Sequence, residues 1–178
     1  MATETLKLGS SIPRFELIGI NNKTYTENSF ENKKGLVIVF SCNHCPYVQA
    51  YEKRLVGLQD KYKNDIQILA INANDEKKYP EDSFEQMKLR AKKMGFNFPY
   101  LHDITQEVAK SFDATHTPEI FLFNKSKKLV FHGKIDDNWQ DETMVKNRYL
   151  ENAINELIDE QEISVPETFT IGCTIKWK

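Results

Sequence analysis

The sequence predicts an α/β domain with a mixed central sheet, helices on both faces and an N-terminal β-hairpin extension. Three observations predict it. Residues 36–40, Leu-Val-Ile-Val-Phe, form an unbroken apolar run, which marks a strand buried on both faces because a half-buried strand alternates. Strand-like and helix-like segments then alternate through the middle of the chain, which implies parallel pairing with right-handed crossovers. Later, two short runs at 119–123 and 128–132 flank the turn Asn124-Lys125-Ser126-Lys127. They read as an antiparallel hairpin, so the sheet is mixed.

The elements follow in order. Residues 1–10 are polar and read as a frayed end. Residues 12–20 and 24–26, joined by Asn21-Asn22-Lys23, read as the hairpin extension. A polar link, 28–34, leads into the 36–40 strand. Val48, Tyr51, Leu55, Leu58 and Tyr62 recur at helical spacing, and 66–73 is the next strand. Pro80 is expected to open a helix with Phe84, Met87, Ala91 and Met94 on its apolar stripe and Gly95 as its stop. Residues 98–101 are extended. Asp103 caps a short helix, with Gln106 at the capping-box position and Val108 and Phe112 facing inward. After the second hairpin comes an acidic loop, 133–142, in which Trp139 either binds a partner or caps the core. Leu150, Ala153, Ile154, Leu157 and Ile158 mark a final amphipathic helix. The tail, 163–178, has no clear period.

A chain of 178 residues forms one domain, 1–178, with a sizeable core. A net charge of −2 leaves no basic footprint for nucleic acid or anionic lipid. No apolar run approaches the roughly 18 residues of a spanning helix, and residues 1–10 contain no apolar stretch of a secretory signal. A cytoplasmic location is therefore expected. Three cysteines in such a chain point to redox or metal use rather than a disulfide framework.

Chemistry concentrates at Cys42-Asn43-His44-Cys45-Pro46, where the buried strand hands over to the first helix. A helix N-terminus carries about half a positive charge and unpaired N–H groups. Cys-x-x-Cys pairs at such sites have pKa values lowered to roughly 3.5–7.5. Cys42 is expected to be the acidified nucleophile and Cys45 the thiol that closes a disulfide with it, with His44 supporting the thiolate. Stabilising the reduced form makes a dithiol more oxidising, so a potential above the roughly −270 mV of thioredoxin is expected. Pro46 removes an N–H but falls in the first turn, where it is tolerated.

Cys42-Asn43-His44-Cys45, with Thr117-Pro118 some seventy residues later, resembles the thioredoxin fold. The hairpin extension resembles that of the peroxiredoxin and thiol-disulfide-reductase branch. Residues 42–48, 72–74, 79–83, 98–101 and 172–178 are similar to bacterial peroxiredoxin-like proteins of the AhpC/TSA redoxin type. The resemblance implies a cis Pro118 packed on the cysteine turn, and a Thr117 backbone that pairs with the extended chain of a substrate. Two departures stand out. Residues 36–40 lack the buried acid that thioredoxins place near the end of this strand, so the proton acceptor for Cys45 is unassigned. The approach Val39-Phe40-Ser41 also lacks the Pro and Thr that peroxiredoxins carry ahead of their cysteine.

Three functions remain open. The first is a thiol–disulfide oxidoreductase acting on protein or small-molecule disulfides, with an external thiol reductant and no cofactor. The second gives the same thiol a peroxide. The third is a zinc- or copper-binding module using Cys42, His44, Cys45 and His116. His116 otherwise supports the thiolate or is an exposed loop histidine. Cys173 is either a further resolving cysteine or an inert small hydrophobe under Trp177. The latter is favoured because Cys45 already supplies a resolving thiol.

Overall fold

Strand β3 (Gly35–Ser41), buried at every position, is the axis of the computed structural model, which describes residues 6–178. It pairs in parallel with β4 (Ile66–Asn72) and antiparallel with β7 (Glu119–Asn124). Beyond β4 lie β5 (Tyr100–His102), parallel to it, then β1 (Glu16–Gly19) and β2 (Thr24–Thr26), both antiparallel. Beyond β7 lies β8 (Leu129–Gly133), antiparallel. The sheet order is β2-β1-β5-β4-β3-β7-β8.

Alternate β3 side chains enter two cores, because successive residues point to opposite faces. Val37 and Val39 meet helix α1 (Pro46–Tyr62) through Tyr51, Leu55 and Leu58, α2 (Phe84–Met94) through Met87 and Ala91, and α4 (Tyr149–Ile158) through Leu150 and Ile154. Leu36, Ile38 and Phe40 meet α3 (Glu107–Ser111) and Phe112. Phe112 sits edge-on to Phe40, Phe121 and Phe123 at 5.3, 5.4 and 5.9 Å between ring centres, the arrangement that ring quadrupoles favour. The mixed sheet covered on both faces is the predicted one.

Local corrections have local causes. Pro80 opens a separate 3-10 turn, Pro80–Asp82, rather than α2. Ser83 caps α2 by accepting from the Gln86 N–H, and Gly95 ends it in the left-handed conformation, φ 66°. Gln106, not Asp103, is the N-cap residue of α3, in the left-handed conformation at φ 66°; Asp103 accepts from the Ala109 N–H (2.8 Å) from three residues further back, and Gln106 forms no capping box. Its amide donates to the carbonyls of Ala73 and Lys176 and its carbonyl accepts from the Lys178 N–H, so it clamps the C-terminal tail. Residues 6–10 are not frayed: Gly9 N–H donates to the Leu129 carbonyl and Leu129 N–H to that of Ser10. Met1 to Thr5 lie outside the described residues. The tail is aperiodic yet ordered. It runs beside β8 through His132 and Pro166 to Thr168, then forms β9 (Cys173–Thr174), antiparallel to β6 (His116–Thr117).

Candidate active site

β3 delivers the cysteine loop to the N-terminus of α1. Cys45 is the N-cap residue and Pro46 the first helical residue, where its missing N–H would be unpaired in any case. Asn43 fixes the loop. Its N–H donates to Asp82 Oδ1 (2.6 Å), its side-chain amide to the Glu81 carbonyl, and its Oδ1 accepts from the Tyr100 hydroxyl (2.8 Å). Cys42 and Cys45 are 2 % and 0 % exposed and pack together. The Thr117–Pro118 bond is cis, as the resemblance implies. Cys42 Sγ lies 3.5 Å from the Thr117 hydroxyl, and the Cys45 thiol donates to the Thr117 carbonyl at 3.5 Å.

The electrostatics reverse one expectation. The Cys45 thiol, not that of Cys42, is pushed down, to about 4. The hydrogen bond from the Cys42 thiol is the main cause, and the Cys173 thiol and the backbone N–H groups of Val48 and Cys173 add to it. The Cys42 thiol is raised by the same hydrogen bond, by burial and by the Asp82 carboxylate facing it. The helix end serves its own cap residue, Cys45, while Cys42 faces a negative charge.

Asp82 is the residue that sequence reasoning missed. It is fully buried and accepts from the Asn43 N–H and from the side chains of Asn72 and Asn74. Its Oδ2 lies 2.5 Å from His44 Nδ1, and His44 stacks on Tyr79. A buried acid thus stands beside the cysteines after all, supplied by the 3-10 turn rather than by β3. The signal was present in Asn72, Asn74 and the 79–83 segment, polar residues following buried strand and loop positions. Nothing in their spacing aims them at Cys42.

Cys42 Sγ, His44 Nδ1 and an Asp82 oxygen lie within 4.8 Å of one another, the one group of this kind among the described residues. These three could hold a metal ion with mixed sulfur, nitrogen and oxygen donors. The quartet expected from the sequence is not assembled. His116 turns its Nδ1 to the Thr115 hydroxyl (2.8 Å) and lies outside the group. Cys173 packs against the cluster of Cys42, Cys45 and Val48. Trp139 caps rather than protrudes, with its ring centre 4.3 Å from that of Tyr47 beside the cysteines. A groove of about 680 Å³ lined by Leu8, Lys34, Val130 and Leu157 lies at the opposite end of β3 and shares no residue with the site.

The family model described as AhpC/TSA family matches residues 8–132. The chain belongs to the AhpC/TSA family. Two solved structures match nearly the full length. An uncharacterized conserved protein from Geobacillus kaustophilus is 36% identical, with TM-score 0.92, over 98% of this chain and 94% of that one. A hypothetical protein from Sinorhizobium meliloti 1021 is 30% identical, with TM-score 0.93, over 98% and 97%. More distant is the C-terminal domain of a putative thiol-disulfide oxidoreductase from Bacteroides thetaiotaomicron, 20% identical, TM-score 0.69, over 87% and 98%. At that identity the likeness shows the thioredoxin-like fold alone. No curated protein matches the chain. Among the described residues no helix is long and apolar enough to cross a membrane.

Proposed function

We propose that this AhpC/TSA family member is a thiol–disulfide oxidoreductase in which Cys42 attacks and Cys45 resolves. The observation that carries it is the buried Cys42–Cys45 pair at a helix N-terminus, with each sulfur 3.5 Å from a Thr117 oxygen. With Cys45 ionised, the proton of Cys42 passes to it. The Cys42 thiolate displaces one sulfur of the substrate disulfide as a thiolate and forms a mixed disulfide. Cys45 then attacks the Cys42 sulfur, closes Cys42–Cys45 and releases the second substrate sulfur. The single proton of the pair leaves on one substrate thiol. His44 and Asp82 are the proton-exchanging groups nearest Cys42. An external thiol returns the pair to the dithiol state by the reverse exchange. No cofactor takes part in these steps.

Insulin-disulfide reduction tests this reading. The wild type is expected to reduce insulin with glutathione as electron donor, and Cys42→Ser to lose the activity entirely. Cys45→Ser is expected to stop at the mixed disulfide, visible as an adduct on Cys42. Equal activity in wild type and Cys42→Ser would sink the proposal. Family membership favours one second reading, in which the same thiol takes a peroxide. Peroxide consumption far faster than by free cysteine, without insulin reduction, would select it. Stoichiometric zinc held without loss of thiols to oxidation would instead favour the Cys42–His44–Asp82 site.

A further inference from the structure

The C-terminal tail crosses the site. β9 lies antiparallel to β6 with Cys173 opposite Thr117 and Thr174 opposite His116, and the Ile175 N–H donates to the Thr115 carbonyl. A Cβ on Gly172 would stand 2.1 Å from the Thr117 carbonyl oxygen, so no other residue lets the tail approach this closely. Past this point the tail is clamped. Lys176 N–H donates to Asn74 Oδ1, Gln106 holds the Lys176 carbonyl and the Lys178 N–H, and Ile175 is buried. Ahead of it Phe169, 91 % exposed, stands free of the core. The tail is therefore a strap fixed at both sides of the site. It packs Cys173 against Cys42 and Cys45. Of the three sulfurs it belongs to the only residue that is not fully buried.

We propose that Cys173 is a third redox residue of this site, which takes the disulfide over from Cys42–Cys45 and, as Cys45–Cys173, binds the strap across Thr117. The proposal rests on the oxidoreductase reading, because the Cys42–Cys45 bond is the product of that reaction. The step is a thiol–disulfide exchange without net oxidation. The Cys173 sulfur attacks Cys45, the Cys45–Cys173 bond forms and the Cys42–Cys45 bond breaks. Cys42 leaves as a thiolate and takes up the proton that Cys173 gives up. The strap already pairs with Thr117 in the dithiol state, in the place the resemblance gives to a substrate, so the Cys45–Cys173 bond locks it there and an extended substrate enters only when the strap lifts in the reduced enzyme. The half-exposed Cys173 sulfur is the point at which an external thiol enters: it attacks Cys173, frees Cys45, and a second thiol releases Cys173 as the reductant's own disulfide.

Disulfide mapping of the full chain tests this. Cys42 and Cys45 fall in one tryptic peptide, 35–53, and Cys173 in another, 149–176, so the new bond appears as two joined peptides under non-reducing conditions. Wild-type protein titrated with oxidised glutathione is expected to yield the joined peptide as well as the closed 35–53 peptide. Cys42→Ser, in which only the new bond can form, is expected to lose both remaining thiols to alkylation and to give the joined peptide in nearly full yield. A closed 35–53 peptide with Cys173 still open to alkylation, together with separate glutathione adducts on Cys45 and Cys173 in Cys42→Ser, overturns the proposal. Insulin reduction is scored separately. Activity with no joined peptide overturns the Cys173 step alone, whereas a joined peptide with no insulin reduction supports that bond and overturns the parent reading.

Discussion

Two buried carboxylates, Asp136 beside the middle of α1 and Asp82 beside the loop ahead of it, are compensated in opposite ways. Asp136 is met by the guanidinium of Arg54 at 2.7 Å and by the Tyr51 hydroxyl at 2.9 Å. Burial and that carboxylate together push the Tyr51 phenol up. Asp82 has no arginine or lysine. Amides, a backbone N–H and the imidazole of His44 surround it, and a cysteine faces it. A guanidinium never gives up its proton under ordinary conditions, so the Asp136 pair is a fixed brace that holds the Trp139 loop against α1. Asp82, surrounded by neutral dipoles and an imidazole, instead faces a thiol and raises it.

Substitution can break that contrast from either side. The largest effect on stability is expected at the brace. Arg54→Ala leaves Asp136 buried without its cation and should cost about 3–5 kcal/mol, measured by urea unfolding, while the native fraction keeps its thiol chemistry. Should Arg54→Ala instead change thiol titration and leave stability intact, the assignment of roles is wrong.

Asp82→Asn should do the reverse. With the negative charge gone, the Cys42 thiol titrates lower and the reduced form is stabilised, so the potential moves to less negative values. Insulin turnover should fall about tenfold, a change of about 1.4 kcal/mol in the barrier, since the exchanging acid is lost. In the wild type, one equivalent of thiolate absorbance should persist down to about pH 4, the range to which the Cys45 thiol is lowered. Loss of that absorbance near pH 8 would contradict the lowering of the Cys45 thiol.

The smallest effect concerns the loop before Pro118. Buried Glu119 accepts from the N–H groups of Thr115 and His116 and pairs with His132 at 2.8 Å. Burial pulls the His132 imidazole down, but its partners Glu119 and Glu167 outweigh burial and hold it above its ordinary value. The folded state thus binds the proton more tightly than the unfolded state. This stabilisation is complete below the unfolded value of about 6.5 and is lost as pH rises through the folded value. His132→Gln should cost about 1 kcal/mol at pH 6 and less at pH 9, read from thermal melts at the two values. A cost that grows with pH would refute the assignment.

Much was legible along the chain because its signals are local. The 36–40 run announces a strand buried on both faces, and its odd and even residues do enter two different cores. The change of period after Pro46 announces α1 and places both cysteines at its start. Gly95 ends α2 because a left-handed residue is cheapest without a side chain. The Thr117–Pro118 pair could be matched to a known pattern.

What only the tertiary structure decided are contacts between distant segments. The separation of Asp82 from Cys42, the two short strands that bring Cys173 opposite Thr117, and the turning of the Gln106 side chain from capping box to tail clamp leave no period in the sequence. Each depends on where two independently placed backbones meet. The order of the two thiols was decided there too. The sequence shows a helix end near two cysteines, but which thiol is lowered follows from which sulfur sits at the helix cap and which faces a carboxylate, and that is fixed by distances of a few ångströms in three dimensions.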